Sequence, residues 1–567
     1  MINYLIFYFS LFLIITSIIG YGFLLAKIVN YKLLNLDLGN IGILGLLFFV
    51  IISYFTIFFL KHDYLHNIIF HLVGLISFYF FYKKLKIKKE FYKLIILVAL
   101  FGIGFLVIKN HDDFAFYHLT YSFALTQDKI NFGMGNLSLG YRHHSSLFFI
   151  NSLLYLPIIK FYLFHSVAFI TLIFSNYTCL LNLLSKSKLK KFNYEYIYYL
   201  SIFIYINCKF YRIGEYGTDI AGQIIFLTIL PKIVSTFNEN NNSKNLKTNI
   251  EHLFLVISYL ITIKTYFVVY LLFSIIFLIK LKTKIFNFFL RSKATYTFLL
   301  TLLLLSMINI SYTGCAIYPL KETCFSNKII WSLDKEEVQK NKVWYSFWSK
   351  AGATPNSNIK NIEKYIDKFN WLSNWTNKYF FNKGLENLMA ILFVSFLLTI
   401  IFYRNKIKNI KFNFFNKNYN LIYLILLVLF FEWFYQHPTL RYGGYSLLSA
   451  LIFLPFSYFI SFTDLKYDIR KKLVISLIII TIAIFNIRNI KRINYEVKNY
   501  FKSEFPYFYI LKSGFKSHIF KDNIKVYIPE NNGNGCWVTP TPCVGGVNSK
   551  TQGAKKIYSY NVFFSKK

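Results

Sequence analysis

The sequence predicts an all-α, polytopic membrane protein with about 14 transmembrane helices. Three observations predict this fold class. Hydrophobic residues make up 56% of the 567 residues, and the mean hydropathy is +0.44. Apolar runs of roughly 15 to 25 residues, the length that a bilayer-spanning helix needs, recur from one end of the chain to the other. Short segments rich in lysine and arginine separate these runs, as expected of cytoplasmic loops.

The basic segments set the order and orientation of the spans. They lie at residues 27–32, 83–89, 186–191, 244–247, 280–293, 404–411 and 470–472. Placing all of them in the cytoplasm gives a consistent map. In this map the spans lie near residues 2–25, 41–60, 64–82, 91–108, 161–183, 192–208, 218–236, 251–264, 267–280, 295–312, 385–402, 420–435, 444–462 and 473–487.

The map divides the chain into two domains. Residues 1–487 form the transmembrane domain, and residues 488–567 form a tail that is too polar to cross a membrane. We expect the tail to be a small extracytoplasmic cap of α/β or irregular structure. The segments 109–160, 209–217 and 311–383 form loops on the same outer face, with short helices at the membrane interface.

The formal net charge of +38 narrows the classes of partner. The sequence has no basic, aromatic-interleaved soluble domain, so it does not predict nucleic-acid binding. Most basic residues lie in short loops, where they set topology. The charge is compatible with membrane lipids and with a lipid-phosphate substrate.

Two pairs of cysteines lie in the predicted outer segments. Cys315 and Cys324 flank one short loop that contains proline, and Cys536 and Cys543 flank another. This spacing predicts two local disulfides in an oxidising compartment. The alternatives are chance pairs or a metal site, although no histidine follows at ligand spacing.

The most informative motif is an acidic pair, Asp112 and Asp113, at the end of the apolar run 91–108. Because the lysine-rich segment 83–89 precedes that run, the pair emerges on the extracytoplasmic side. Carboxylates are costly at a bilayer boundary, so the pair is expected to be functional. One of them would be the catalytic base that accepts a proton from an attacking hydroxyl. The alternative is that Asp113 caps a following helix, 114–125.

Basic residues near the pair are candidate substrate-binding residues, namely His111, Arg142, His143 and His144. Arg142 would contact phosphate or sugar, or alternatively face lipid headgroups. The acidic pair with His143 and His144 has the residue types of a divalent metal site. Adjacent loop histidines are more often solvated or hydrogen-bonded to neighbours, so we predict no metal and no other cofactor.

A lysine and a second acidic patch lie at the outer ends of later predicted spans. Lys264, between two apolar runs, is a candidate contact to a lipid phosphate, or a snorkelling lysine. Glu215 and Asp219 are candidates for binding an acceptor or a metal. The alternative is that this patch pairs with Arg212.

The segment 432–444 joins two late spans on the predicted outer side. Arginine is enriched in cytoplasmic loops, so an arginine on the predicted outer side needs another reason. Its planar guanidinium suits phosphate. Arg441 is therefore a candidate ligand of the substrate phosphate, with pairing to Glu432 as the alternative. His437 and Tyr442 lie beside it and are further substrate-binding candidates.

These residues resemble motifs of the GT-C superfamily of lipid-phosphate-sugar-dependent glycosyltransferases, which includes protein mannosyltransferase-like and aminoarabinose transferase-like members. The matching motifs are HDD at 111–113, TIKTYF at 262–267 and HPTLRYGGY at 437–445. GCWVTPTPC at 535–543 looks like a motif of a poorly characterised bacterial group with related architecture. The resemblance covers residues 1–487 and implies that the base is Asp112 or Asp113.

The chain departs from the better-known members of that superfamily in two ways. Its acidic pair follows the fourth predicted span rather than the first. Residues 142–146 also occupy the stretch where those members have a proline-rich substrate element. Both departures leave the identity of the donor and of the acceptor open.

The sequence and the resemblance together predict an inverting glycosyltransferase. It would move a sugar from a polyprenyl-phosphate donor to a lipid-linked glycan, lipopolysaccharide or protein acceptor. The predicted location is the bacterial inner membrane, with the active site facing the periplasm. Two other classes stay open. An O-antigen polymerase or ligase would use Arg142, Arg212 and Arg441, and a transporter or lipid flippase would place charges at mid-span.

Overall fold

The computed structural model describes residues 2–30, 37–186, 194–238, 244–281, 290–326, 328–353, 359–402, 417–461, 467–500, 506–531 and 533–566. Parts of the predicted basic segments, at residues 31–32, 187–191, 282–289 and 404–411, lie outside this set. The helices are α1 (Ile2–Ile28), α2 (Leu38–Thr56), α3 (Tyr64–Leu85), α4 (Lys88–Phe101), α5 (His118–Gln127), α6 (Ser146–Leu153), α7 (Ser166–Lys186), α8 (Tyr194–Lys209), α9 (Ile220–Asn238), α10 (Lys244–Ile263), α11 (Phe273–Leu281), α12 (Lys293–Thr313), α13 (Lys335–Lys350), α14 (Ile362–Ile366), α15 (Leu372–Trp375), α16 (Leu385–Phe402), α17 (Lys417–Gln436), α18 (Gly444–Ser461) and α19 (Tyr467–Asn499).

Among the described residues, 11 helical segments are long and apolar enough to cross a membrane. They are α1, α2, α3, α7, α9, α10, α12, the continuous segment Leu372–Phe402, α17, α18 and α19. A π-helical stretch, Thr376–Gly384, joins α15 to α16 within that continuous segment. The helices confirm the predicted all-α polytopic fold.

The other three predicted spans form shorter elements. In place of 91–108, α4 has 14 residues and continues into a 3₁₀ turn, Gly102–Phe105. In place of 192–208, α8 has 16 residues. In place of 267–280, a 3₁₀ helix, Thr265–Leu272, leads into α11. Within the described part of the chain, length and composition therefore identify 11 of the roughly 14 predicted crossings.

The first three helices pack closely because glycines lie where they touch. A Cβ atom on Gly20 of α1 would lie 1.9 Å from the carbonyl oxygen of Gly74 in α3. A Cβ atom on Gly45 of α2 would lie 1.9 Å from the carbonyl oxygen of Ile18 in α1. Small residues allow membrane helices to approach to backbone contact. These contacts hold α1, α2 and α3 against one another. The three helices support the loop that follows α4.

Both predicted disulfides are present, one in each of the two segments that the sequence predicted to lie outside. Cys315–Cys324 closes the turn that follows α12, and Cys536–Cys543 closes a loop near the C-terminus. The predicted outer loop 109–160 contains α5 and α6, and 311–383 contains α13, α14 and α15. The spacing of the cysteines was therefore sufficient to predict their partners.

The C-terminal segment, residues 506–531 and 533–566, consists of two small antiparallel sheets. Strand β1 (Phe515–Ile519) pairs with β2 (Lys525–Pro529), and β3 (Gln552–Ile557) pairs with β4 (Tyr560–Ser565). Helix α19 continues to Asn499 before this segment begins. Backbone N–H groups of Tyr509 and Cys536 donate to the carbonyl oxygens of Ile108 and Ala115, both at 2.9 Å. The C-terminal segment therefore packs against the loop that follows α4.

Candidate functional site

Asp219 lies at the centre of a cluster of charged side chains from separate parts of the chain. It precedes α9 and is 3% exposed. Nε of Arg441 donates to its Oδ2 at 2.7 Å, and Nζ of Lys264 lies 3.1 Å from its Oδ1. Lys264 directly follows α10, and Arg441 lies in the 3₁₀ turn Leu440–Tyr442 between α17 and α18. The ends of three helices therefore meet at one carboxylate.

The two cations keep Asp219 ionised. Burial alone would raise its pKa, but Arg441 and Lys264 outweigh burial, and the pKa of Asp219 lies well below its usual range. Burial alone would lower the pKa of Arg441, but Asp219 outweighs it and raises this pKa. A buried ion pair is stable only when its charges remain matched. The cluster therefore presents fixed charges rather than titrating groups.

Asp113 lies beside this cluster. An NH2 group of Arg441 is 3.9 Å from its Oδ2, and the hydroxyl of Tyr117 donates to the same oxygen at 3.3 Å. Nδ1 of His111 lies 3.6 Å from Oδ2. Helix α5 begins at His118, and no side-chain hydrogen bond caps it. The Asp113 side chain therefore faces the charged cluster and does not cap the helix, which was the alternative from sequence.

Asp112 points elsewhere, so the acidic pair is split. Its side chain is 86% exposed, and one oxygen lies 3.0 Å from Nζ of Lys109. The hydrogen bond from Lys109 lowers the pKa of Asp112. Asp112 lines a cavity of about 440 Å³, the junction cavity, which lies between residues 108–116 and the C-terminal segment. Of the two carboxylates, Asp113 is the one in contact with Arg441.

A second cavity, of about 140 Å³, borders the cluster at Lys264. We call it the cationic cavity because Lys264 and Arg142 both line it. The rest of its wall is aromatic, imidazole and polar, with His143, His144, Thr265, Tyr266, Asn309, Tyr318, Pro319, Tyr345, His437 and Tyr442. No carboxylate lines this cavity among the residues that the structure describes. Its chemistry suits an anion with an apolar part.

The histidines of the cationic cavity are neutral at physiological pH. Burial, followed by the nearby Lys264, lowers the pKa of His143 and of His144 to about 3. Burial, followed by Lys350, lowers the pKa of His437 to about 4. Nε2 of His144 also lies 2.6 Å from the hydroxyl of Tyr54. The positive charge of the cavity therefore comes from its lysine and arginine.

Two candidates from the sequence are held by partners of their own. Nε of Arg212 donates to Glu215 at 2.7 Å, and burial raises the pKa of Glu215 to about 7. This is the structural pairing that the sequence allowed as an alternative. Arg142 is buried, with Nε 2.6 Å from the carbonyl oxygen of Gly135 and NH2 2.5 Å from Glu337. Arg142 reaches the cationic cavity, whereas Glu215 does not line it.

One group of side chains among the described residues has the geometry of a metal site. Ligand atoms of His111, Asp113 and His118 all lie within 4.8 Å of one another. Two imidazoles and a carboxylate suit transition metals such as zinc or iron. Arg441, close to Asp113, opposes a further positive charge there. His143 and His144, the histidines that the sequence suggested for a metal, lie in the cationic cavity instead.

His118 is the site residue that the sequence analysis missed. It is 5% exposed, and its ring stacks on His111 at 5.1 Å between centroids. A single histidine in an apolar helix is usually part of the core, so the residue type alone did not indicate a functional site. Its position in the first turn of α5, just after the acidic pair, was the available signal.

The comparisons with known proteins identify one family. A model of a domain of unknown function, DUF8201, matches residues 4–448. The match includes all the residues of the charged cluster and of the cationic cavity. No curated protein and no solved structure matches the chain.

Proposed function

The chain belongs to the family of this domain of unknown function, DUF8201, and we propose that it is a membrane glycosyltransferase. It moves a sugar from a polyprenyl-phosphate donor to an envelope glycan, lipid or protein acceptor, with inversion at the anomeric carbon. The observation that carries the proposal is the position of Asp113. This carboxylate contacts Arg441, whose neighbour Tyr442 lines the cationic cavity.

In this proposal the cationic cavity holds the donor phosphate. Lys264 and Arg142 supply positive charge where the leaving phosphate gains its negative charge. The aromatic wall, with Tyr266 and Tyr345, contacts the apolar parts of the donor. A phosphate already ionised at neutral pH needs charge and hydrogen-bond donors rather than a general acid.

Asp113 acts as the general base. It accepts the proton of the acceptor hydroxyl as that oxygen bonds to the anomeric carbon, and the bond from that carbon to the phosphate oxygen breaks with its electron pair. A single displacement of this kind inverts the anomeric configuration. Tyr117 and Arg441 hold the carboxylate in place. Asp112 lies on the acceptor side and does not take the proton.

The finer parts of the topology belong to the proposal as well. We place the charged cluster on the extracytoplasmic face of a bacterial inner membrane, because the basic loops predict the opposite face as cytoplasmic. The short elements α4, α8 and residues 265–281 would complete the predicted set of about 14 crossings. The C-terminal segment would form the outer cap.

The two rival functions have less support. Of the three arginines that a polymerase or ligase would use, Arg142 alone lines the cationic cavity. Arg212 is paired with Glu215, and Arg441 with Asp219. A transporter would be expected to carry its charges at mid-span. Asp219 and Lys264 lie instead at the ends of α9 and α10.

Deletion of the gene separates the three functions. If the protein is a transferase, the deletion should remove one sugar from the envelope glycans and cause its polyprenyl-phosphate donor to accumulate. A polymerase would shorten the glycan without removing a sugar type. A flippase would leave the lipid-linked sugar on the cytoplasmic leaflet. An unchanged glycan composition, with no accumulated donor, would contradict the proposal.

A further inference from the structure

The junction cavity has two walls that come from distant parts of the chain. One wall is the loop that follows α4, and the other is the C-terminal segment. Backbone hydrogen bonds join the walls, from Tyr509 N–H to Ile108 and from Trp537 N–H to Ala115, at 2.9 and 3.1 Å. The volume of about 440 Å³ lies within the range of sites for small ligands. It is large enough for a sugar ring.

The C-terminal wall presents aromatic rings to this cavity. The rings of Tyr509 and Trp537 meet edge to face with centroids 5.7 Å apart, and Tyr500 lies 5.4 Å from Tyr509. Nε1 of Trp537 donates to the carbonyl oxygen of Asn534 at 2.8 Å, which fixes the orientation of the indole. The disulfide Cys536–Cys543 constrains the same loop. Aromatic faces are electron-rich, and the C–H face of a pyranose ring is complementary to them.

The opposite wall carries a buried amide without a partner. Asn110 lines the junction cavity and is 8% exposed. Neither Oδ1 nor Nδ2 of Asn110 has a hydrogen-bond partner within the described part of the chain. Buried polar side chains are normally hydrogen-bonded. An amide that can both donate and accept is well matched to the hydroxyl groups of a sugar.

The charge of the junction cavity favours a neutral ligand. Its cation, Lys109, is paired with its anion, Asp112, at 3.0 Å. The lining therefore has no surplus positive charge for a phosphate, in contrast to the cationic cavity. Aromatic rings with an unpaired amide and balanced charge fit a carbohydrate.

One residue of the junction cavity lies next to the proposed catalytic base, although Asp113 itself does not line the cavity. His111 lines it, and Nδ1 of His111 lies 3.6 Å from the carboxylate of Asp113. We propose that the junction cavity is the acceptor site, in which a sugar ring stacks on Trp537 and hydrogen-bonds to Asn110. The role as acceptor site rests on the proposed glycosyl transfer. The binding of carbohydrate stands on the cavity itself.

Saturation-transfer NMR on the purified full-length protein tests the binding directly. The probes are the methyl glycosides of glucose, galactose, mannose and N-acetylglucosamine, and the oligosaccharide released by mild acid from the organism's own lipid-linked glycan. We expect signals from at least one probe. Trp537→Ala and Asn110→Ala should each weaken binding about tenfold, and Trp537→Phe, which keeps an aromatic face, should weaken it less.

The control variant is Tyr558→Ala, an aromatic residue of the same segment that is 96% exposed and lies outside the cavity. It should bind as the parent does. Parent-like resistance of the C-terminal segment to limited proteolysis reports that it remains folded, and Asn110→Ala decides if Trp537→Ala fails this check. Absence of signal from every probe, or equal binding by folded Trp537→Ala and the parent, would overturn the proposal.

Binding by NMR, combined with a sugar-transfer assay in membranes, separates this inference from the proposed function. Asp113→Asn should still bind the sugar although its rate of transfer falls. If Asp113→Asn transferred normally while Trp537→Ala lost binding, the transferase function would fail and the carbohydrate site would stand. If Asp113→Asn lost transfer while Trp537→Ala bound and reacted normally, the acceptor site would fail and the transferase function would stand.

Discussion

Nε of Arg441 lies 2.7 Å from Oδ2 of Asp219, a residue 222 positions earlier in the chain. This bond ties the turn between α17 and α18 to the start of α9. It also leaves an NH2 group of the same guanidinium beside Asp113. The orientation of the proposed base therefore depends on a carboxylate that takes no part in the reaction.

Asp219→Asn should destabilise the protein because it leaves Arg441 and Lys264 without their shared partner. Removing one member of a buried ion pair costs about 3–5 kcal/mol. We expect a clearly lower thermal unfolding midpoint in detergent. Glu386→Gln is the matched control, since Glu386 pairs with Lys209 but its side chain is 69% exposed. Equal midpoints for the two variants would contradict the central position of Asp219.

Lys264→Gln should weaken binding of the donor lipid, because the lysine supplies charge to the cationic cavity. We expect roughly a tenfold loss of affinity for polyprenyl phosphate, as for other charge-assisted contacts. Binding can be measured by native mass spectrometry of the purified protein. Lys340→Gln, at an exposed lysine on α13, should bind like the parent. If folded Lys264→Gln bound polyprenyl phosphate as the parent does, the proposed phosphate site in this cavity would be contradicted.

The buried histidines should make the protein less stable in mild acid. The pKa of His437 is about 4 in the folded chain and about 6.5 when unfolded. The unfolded chain therefore binds more protons between these values, so the free energy of unfolding rises with pH through this window. This rise in the free energy of unfolding is complete above about pH 6.5. His437→Gln should reduce the difference in thermal midpoint between about pH 5 and pH 7, whereas His518→Gln should not.

The close packing of α1 and α2 should not tolerate a side chain at Gly45. A Cβ atom there would lie 1.9 Å from the carbonyl oxygen of Ile18, so the helices must separate. We expect Gly45→Ala to cost about 1–3 kcal/mol and to lower the yield of folded protein from membranes. Gly102→Ala is the control, because its nearest neighbour would be 3.4 Å away. Equal yields would show that the helices can separate at little cost.

The sequence predicted the types of site residue better than their arrangement. Asp113, Lys264 and Arg441 stand out because charges at the ends of apolar runs are costly and need a reason. Their contacts with Asp219 depend on how distant helices pack, which a single sequence does not encode locally. The separation of Asp112 from Asp113 depends on one 3₁₀ turn, Asp112–Phe114. No residue pattern distinguishes two adjacent carboxylates in advance.

In the fold, too, features set by a short stretch of sequence were predicted better than features set by distant contacts. Apolar length predicted the long helices, and cysteine spacing predicted both disulfides, because each signal lies within a short stretch of chain. The apolar segments 91–108 and 192–208 were predicted as full spans, but α4 ends in a 3₁₀ turn and α8 has only 16 residues. His118 was missed because a buried histidine is ordinary unless its neighbours in space are known.

The central claim is that Asp113 is the catalytic base, and the most direct test is the initial rate of sugar transfer in membranes. Donor lipid extracted from cells that lack the gene serves as substrate. With insertion of each variant confirmed, Asp113→Asn should lower the rate by about 10²–10⁴-fold. Asp112→Asn should retain measurable transfer, and Glu322→Gln, an exposed carboxylate, should match the parent. Transfer by inserted Asp113→Asn at the parental rate would contradict the account.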